Sequence, residues 1–579
     1  MNQRSRGTGE LGGFERAVLV VAAVTMLVGA AVWAWAGVAG VLFGGGWPHL
    51  TASALQHAIV RLPAHLGDPR LAFPRAARSQ LPGAVGFYTA LLPVLIAMGF
   101  GVWLAARLWR RHGGWGGDGK STGARWASGG DLDRLRRRQL ARSEHVPGAA
   151  ARGLSLGYQG GGGRLLRAED RHALVVFGPT QSGKSAGIAI PNILEWPGPA
   201  IVVSIKPDLL DATLAARAGR GQVLVYDPFD LWHGRSHTWS PLASSATWNG
   251  ALETAQRMAA AGDMDMSSVK GGSFWSKAAE QRMAPLLYVA RRSGRTMEDV
   301  VSWVYGAGGG DLDRLMHELV DHARDAAERA DAHHALDAHL AFAALAGETR
   351  GAIEGAAQVL MSAYRSPTVV RSASGSEITG EQLLAGDNSV YLISDARRSK
   401  LLRPLLIALL TDLLDHAYET ANNSPGRRLA SPLLVCLDEL GNAVPIPNLA
   451  EIASTAASHN IQLISIFHDI AQARERYGQQ ALTVINNHRA RMLMSGVADI
   501  ETLRYFSDLV GDEEVKDRSE RDAPIRRRPL APADELRLIK PEHGLLVYGA
   551  LRPTILKLRL YFNDRRLRDL AAGQQSEAA

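Results

Sequence analysis

The chain has 579 residues, 46% apolar and 21% charged, a globular balance that excludes a disordered or collagen-like polymer and a length that calls for two or three domains. A net charge of +7 suits contact with a polyanion, either nucleic acid or an anionic membrane surface. The single cysteine, Cys436, sits in an apolar run and excludes both an internal disulfide framework and a cysteine-based zinc site, as fits a reducing cytosol.

Residues 1–16 are polar and carry Arg4, Arg6 and Arg16. From Ala17 to Phe43 no charge occurs, enough at about 1.5 Å per residue to cross a ~30 Å hydrocarbon core. The run continues through Trp33 and Trp35, where a signal peptide would end in small residues. A second uncharged run, Leu81 to Ala106, closes on Arg107, Arg110 and Arg111, with Trp103 and Trp109 placed as interfacial anchors. Two transmembrane helices, about 17–43 and 81–106, are therefore expected in a membrane anchor spanning residues 1–112. Arg61, Arg70, Arg75 and Arg78 between them blur the loop-charge rule, so the nucleotide sets the orientation. ATP is cytosolic, which puts the phosphate loop described next and both termini inside, residues 44–80 outside, and the protein in the cytoplasmic membrane.

A glycine-rich linker, 112–130, precedes a basic helix from Asp131 to Ser143 with arginines at 134, 136, 137, 138 and 142. That helix either lies over anionic lipid heads or contacts DNA. The apolar run Ala173 to Phe177 then feeds directly into Gly178-Pro179-Thr180-Gln181-Ser182-Gly183-Lys184-Ser185. A strand, this G-x-x-x-x-G-K-S loop and a following helix are what a polyphosphate site needs. Gly178 and Gly183 let the backbone N–H groups turn inward, Lys184 reaches the β- and γ-phosphates of ATP, and the Ser185 hydroxyl ligates Mg²⁺. Helix from Ala186 to Ile190 is expected to kink or end at Pro191. Ala200–Ser204 and Gln222–Tyr226 read as further buried parallel strands, with Lys206, Asp208, Asp227 and Asp230 at their functional ends.

From Trp248 to Tyr364 the pattern turns helical: Ala251–Ala261, Phe274–Arg292, Met297–Val304, an alanine-rich run from Asp311 to Ala346, and Thr349–Tyr364. His333, His334 and His339 lie among charged residues, as on a solvated helix face. Strand Ser389–Ile393 and a long helix, Leu401 to Thr420, lead to the turn Asn422–Gly426.

The strand from Pro432 ends in Asp438-Glu439. Asp438 can hold Mg²⁺ together with Ser185, and Glu439 can orient or deprotonate an attacking water. Some 250 residues separate Lys184 from Asp438, an excess that an inserted all-α domain at 246–366 absorbs. Strand Ile461–Phe467 ends at His468, which is either a γ-phosphate sensor or a helix-capping residue. Asn487 to Met494 leads into another strand, and Arg489 or Arg491 either completes a neighbour's site in a ring or is surface charge. Last come Arg526-Arg527-Arg528, strands Leu545–Tyr548 and Ile555–Tyr561, and a short polar tail, 565–579.

With these residues in place the chain resembles the type IV secretion coupling proteins, the conjugative DNA-transfer ATPases. The likeness rests on Gly123-Ala-Arg-Trp-Ala127, Gly178–Ser185 continuing to Ile190-Pro191-Asn192, Tyr226–Phe229, Trp239–Leu242, Phe274-Trp275, Leu437–Leu440, Tyr477-Gly478, Pro529–Leu536 and Lys557–Asp564. The resemblance implies an α/β fold: a RecA-like P-loop NTPase domain, residues 113–245 and 367–564, carrying the inserted helices and preceded by the membrane helices. It also implies a homo-hexamer that uses ATP and Mg²⁺ to carry single-stranded DNA with its relaxase to a type IV secretion channel. Two positions depart from the family pattern, Ser204 where an acid is common and His468 where a glutamine is usual. A receptor for protein substrates whose ATPase acts as an assembly switch is the alternative. A septal DNA translocase fits less well, because the segment after Asp564 is too short for a winged-helix reader. Phe274 and Trp275 are expected to pack in the helical core.

Overall fold

The computed structural model describes residues 29–97, 100, 103, 123–136, 153–160, 163–266, 272–395, 397–441, 444–515 and 526–573. The chain forms two compact units, 1–121 and 122–579.

In the first unit backbone 29–43 is helical. The segment 44–80, expected as an outward connection, is itself folded into helix Ala52–Arg61 and single turns at Leu62–His65, Pro69–Ala72 and Arg75–Arg78. Glycine permits its close return: a Cβ on Gly44 would stand 2.2 Å from the Gln80 carbonyl oxygen. Ala36, Ala39, Ala58, Phe73 and Phe87 form a small core, and the Trp35 indole donates to the Phe87 carbonyl at 2.7 Å. No helix among the described residues is long and apolar enough to cross a membrane. The continuous helix expected over 81–106 is broken, with 81–83 non-helical, Ala84–Thr89 one helix, and a turn at Ala90 before helical backbone 91–97. Pro93 explains the break, since it offers no N–H to the carbonyl four residues back and clashes with it. Residues 17–28, 98–99, 101–102 and 104–106 of the two expected spans lie outside the described residues, as do Arg107, Trp109, Arg110, Arg111 and the basic residues 137–143.

The second unit is built on one sheet. In chain order its strands are β1 (Ser155–Gln159), β2 (Leu165–Arg167), β3 (Leu174–Phe177), β4 (Ala200–Ser204), β5 (Val223–Tyr226), β6 (Ser389–Ile393), β7 (Leu433–Leu437), β8 (Ile461–Phe467) and β9 (Ala490–Met494). A separate two-stranded ribbon, β10 (Asp512–Val515) with β11 (Arg526–Pro529), is followed by the last sheet strands, β12 (His543–Tyr548) and β13 (Thr554–Lys557). Among the described residues eleven strands line up as β2-β1-β13-β12-β9-β3-β8-β7-β4-β6-β5. From β9 to β5 the pairs are parallel, and from β2 to the β12–β9 pair they are antiparallel. β3, β4, β6, β7 and β8 are buried at every residue, as central strands covered on both faces must be. Their alternate side chains divide between two cores, Val175, Phe177, Ile201 and Val203 on one face, Leu174, Val176, Ala200 and Val202 on the other.

Between β5 and β6 the chain is helical, from Trp248–Met266 to Pro367–Ser372. The apolar side chains of this block belong to the same core as the first face of the sheet. Ion pairs from Arg257 to Asp412 (3.2 Å) and Asp415 (2.8 Å) tie its first helix to the long helix Ser399–Asn423. The run read as one helix from Asp311 to Ala346 is two, Gly309–Asp321 and Ala326–Ala343. Asp325 starts the second by accepting the Glu328 N–H at 2.8 Å, a cap that outweighs alanine propensity. His333 and His334 are exposed, whereas His339 is buried, bonded to Asp313 at 2.7 Å. Phe274, expected in the core, is 59% exposed; the Trp275 side chain lies outside the description.

The chain's end also departs from expectation. β13 stops at Lys557, so the strand read as Ile555–Tyr561 is cut short. Residues 558–561 leave the sheet to run beside the phosphate loop, and the Tyr561 N–H donates to the Ala186 carbonyl at 3.0 Å. The polar tail begins instead as helix Arg565–Ala571, with Asp564 accepting the Leu567 N–H at 3.1 Å and Leu567 buried.

Candidate active site

The loop between β3 and its helix takes its shape from two glycines used differently. At Gly178 space is the constraint: a Cβ would lie 2.6 Å from Ser182 Oγ and 2.7 Å from Met494 Cβ. At Gly183 the backbone is, with φ of 86°. Gln181 also stands at positive φ, 64°, at the exposed crest beside Thr180. Ser182 Oγ donates to the Pro179 carbonyl at 2.8 Å and closes the turn. The first helical turn, Ser185–Ala189, is wound as a π-helix and passes into the α-helix Ile190–Glu195, whose second residue is Pro191, so the helix does not end at the proline as expected.

Lys184 is buried, with Nζ donating to the Gly178 and Pro179 carbonyls at 2.6 and 2.7 Å. Burial pulls its pKa down, Asp438 and Glu439 oppose that, and Lys206 adds to it. Ser185 Oγ donates to Asp438 Oδ2 at 3.0 Å across 253 residues of sequence. Asp438 belongs to the end of β7, which does not touch β3; β8 lies between them. The acid turn is fixed from both sides, by Asp438 N–H to the Val203 carbonyl and Leu440 N–H to the Ile466 carbonyl, both 3.0 Å. Glu439 is half-buried with φ of 51°, and among the described residues no helix follows it before Leu449–Thr455.

Asp438 is 5% exposed, and its Oδ1 is buried without a hydrogen-bond partner. Burial raises its pKa to about 6, Glu439 and Asp208 push the same way, and the Ser185 hydroxyl and Lys184 pull it back. A buried carboxylate oxygen with no donor suits a small, hard cation. No cluster of three or more metal-ligating side chains exists among the described residues; what the structure brings together here is a hydroxyl and a carboxylate, Ser185 and Asp438. Mg²⁺ shared with phosphate oxygens matches that donor set, because magnesium keeps most of its shell for substrate and water.

His468 follows β8, whose last residue, Phe467, pairs with Phe177 and accepts the Gly178 N–H at 3.1 Å. It is therefore placed beside the mouth of the loop. The helix cap belongs to its neighbour: Asp469 accepts the Gln472 N–H at 2.7 Å. Sequence reading gave no role to Gln472 and Arg476. Gln472 Oε1 accepts the His468 N–H at 2.9 Å while its side chain packs where a Cβ on Gly441 would be, 2.4 Å from Cδ. Arg476 Nε donates to the Gly441 carbonyl at 2.8 Å. These two residues tie the acid turn to the end of β8, and their spacing of four on one helix was the available signal. Of the two arginines near β9, Arg491 is held by the carbonyls of Ile485 and Asn486, and Arg489 is exposed. The basic stretch at 526–528 is strand β11, with Arg528 paired to Glu513 at 2.7 Å. Ser204, at the departure from the family pattern, accepts the Lys206 N–H at 3.2 Å.

The chain is similar to known proteins over most of its length. Residues 125–578 match the family model described as type IV secretory system conjugative DNA transfer. Protein VirD4 of Agrobacterium fabrum is 23% identical over 464 residues, covering 77% of this chain and 66% of its own length. The chain thus spans just under two thirds of that relative. Conjugal transfer protein TraG of Escherichia coli is 25% identical over 505 residues, covering 76% of each. Among solved structures, the unbound bacterial conjugative coupling protein TrwBdeltaN70 aligns with a TM-score of 0.56 at 18% identity, over 76% of this chain and 93% of that one. Plasmid coupling protein TrwB in complex with ADP and Mg²⁺ gives 0.54 at 16%. Those identities show a shared fold, and the family model spans more than three quarters of the sequence. The chain belongs to the type IV secretory system conjugative DNA transfer family.

Proposed function

We propose that this chain is a Mg²⁺-dependent ATPase, anchored in the cytoplasmic membrane, that couples a relaxase–DNA substrate to a type IV secretion channel and powers its transfer as a homo-hexamer. The observation that carries the reading is the 3.0 Å bond from Ser185 to Asp438, beside the unpartnered Asp438 Oδ1. Phosphate loop and acid turn thereby share one pocket. The loop N–H groups of 178–185 and the helix behind them would receive the phosphates. Lys184 exchanges the Gly178 and Pro179 carbonyls for phosphate oxygens, and Ser185 with Asp438 holds the cation. Bound magnesium supplies neutralisation of the β- and γ-phosphate charge. Glu439 accepts the proton of the attacking water. His468 and the Gln472–Arg476 brace connect that acid turn to β8, a route by which phosphate occupancy reaches the rest of the protein.

Support for the substrate comes from the family and from two proteins the chain is similar to, TraG, whose name is conjugal transfer protein, and TrwB, a conjugative coupling protein. The test is ATP hydrolysis by the full chain in detergent, with and without single-stranded DNA across a salt series, alongside its mass in solution. DNA-stimulated, salt-sensitive hydrolysis by a six-subunit species is the expected result. Stimulation only by a protein substrate would instead make the chain a receptor with an assembly switch.

A further inference from the structure

The parallel sheet also carries a cavity at the end opposite the phosphate loop. At the amino ends of β3, β8 and β9 lies a cavity of about 490 Å³, lined among others by Arg171, Arg489, Arg491, Ser454, Asn486 and Asn487. β3, four residues or about 13 Å long, separates it from the phosphate loop. No aspartate or glutamate lines the cavity, and none of the three arginines forms an ion pair among the described residues.

The three arginines are held differently. Arg491 is fixed, with Nε donating to the Ile485 carbonyl at 3.2 Å and a terminal nitrogen to the Asn486 carbonyl at 3.0 Å. Arg489 is exposed, and the missing side chain of Gly549 makes its room: a Cβ there would fall 2.5 Å from Arg489 Nε. Arg171 is exposed in the turn before β3 at φ of 67°, a conformation a non-glycine residue adopts only under strain. The Asn487 amide is anchored to the Ala450 carbonyl at 2.8 Å. The one ring on the lining, His172, is bonded to the Tyr548 hydroxyl at 2.5 Å.

We propose that this cavity binds the phosphodiester backbone of a nucleic-acid strand, through Arg171 and Arg489 with Arg491 as a fixed charge behind them. Guanidinium forks match phosphate oxygens, and an acid-free wall leaves their charge uncompensated for a polyanion to neutralise. No tryptophan, tyrosine or phenylalanine lines the site to stack a base, so the strand is held without regard to sequence. The inference rests on the reading of the chain as a DNA-transfer motor and adds a contact for the DNA at the sheet end opposite the nucleotide.

The test is fluorescence anisotropy of a mixed-sequence 30-nucleotide single strand, about that long so that one protein engages one strand, titrated with full-length protein across a salt series. Arg171→Gln is expected to weaken binding about fivefold at 0.1 M salt and to lower the slope of log K against log salt by about 0.7, one lost phosphate contact. Affinity for a fluorescent ATP analogue and the melting temperature should stay unchanged in that variant. Arg171→Gln with Arg489→Gln should double the change in slope. Slopes equal to wild type in both variants overturn the inference and leave the motor reading standing. Unchanged DNA affinity with hydrolysis lost in the double variant would overturn it too, assigning Arg489 to a nucleotide. A wild-type protein that binds no single strand even at low salt would sink the motor reading itself.

Discussion

The two ends of the parallel sheet handle charge in opposite ways. At the carboxyl ends Lys184 and Asp438 are buried, and their charges answer one another within a pocket shaped by Gly178 and Gly183. At the amino ends Arg171 and Arg489 stand exposed around a cavity with no acid on its wall. Buried, mutually paired groups select a ligand by geometry and tolerate no displacement. Exposed like charges select only for opposite charge and are weakened by salt. A motor needs both, an exacting site for the fuel and an undemanding one for a polymer that must slide.

The largest break in that contrast comes from Lys184→Ala. It is expected to reduce ATP hydrolysis by about 10³-fold or more while single-strand affinity stays at the wild-type value, read by phosphate release and anisotropy on the same preparation. Glu439→Gln should lower turnover by about 10²–10³-fold and leave ATP-analogue binding within about twofold; equal loss of both would give Glu439 a structural role. Gly178→Ala sharpens the geometric half of the comparison. Its Cβ meets Ser182 and Met494 below 3 Å, so nucleotide affinity should fall about tenfold and unfolding free energy by about 1–3 kcal/mol, measured by analogue titration and denaturant melts.

The effect that leaves function untouched lies beneath the basic cavity. His488 is buried, bonded to the Val484 carbonyl at 2.7 Å and to Ser465 Oγ at 2.9 Å. Burial lowers its pKa from 6.5 to about 4, with Arg491 adding to the shift. The unfolded chain therefore takes up this proton first as pH falls. Its contribution to stability is complete above pH 6.5 and is lost on descending to about 4, about 3 kcal/mol over that window. Thermal melts of wild type and His488→Gln across that range should differ in slope, the variant lacking this share of the acid sensitivity.

Much of the site was legible because its chemistry is local. Residues 178–185 follow one another, and Asp438-Glu439 ends an unbroken apolar strand, so spacing alone nominated them. The π-wound turn at Ser185–Ala189 and the brace from Gln472 and Arg476 to Gly441 were not legible, since each depends on what packs against it. The same limit hid β1 and β2, short strands that pair with each other, β1 also with β13 from the far end of the chain.

Sequence by itself determined the phosphate loop, the acid pair, and an α/β chain with a helical stretch between strands, because side-chain periodicity and turn chemistry act within a few residues of each other; the family came from the resemblance its motifs carry. Tertiary structure alone decided that β8 intervenes between the loop strand and the acid strand, that residues 558–561 leave the sheet to pack on the loop, and that Arg171 converges on one cavity with Arg489 and Arg491 from a segment more than 300 residues away. Strand order and convergence are settled by which faces bury each other across hundreds of residues, a competition among packings that no local pattern records.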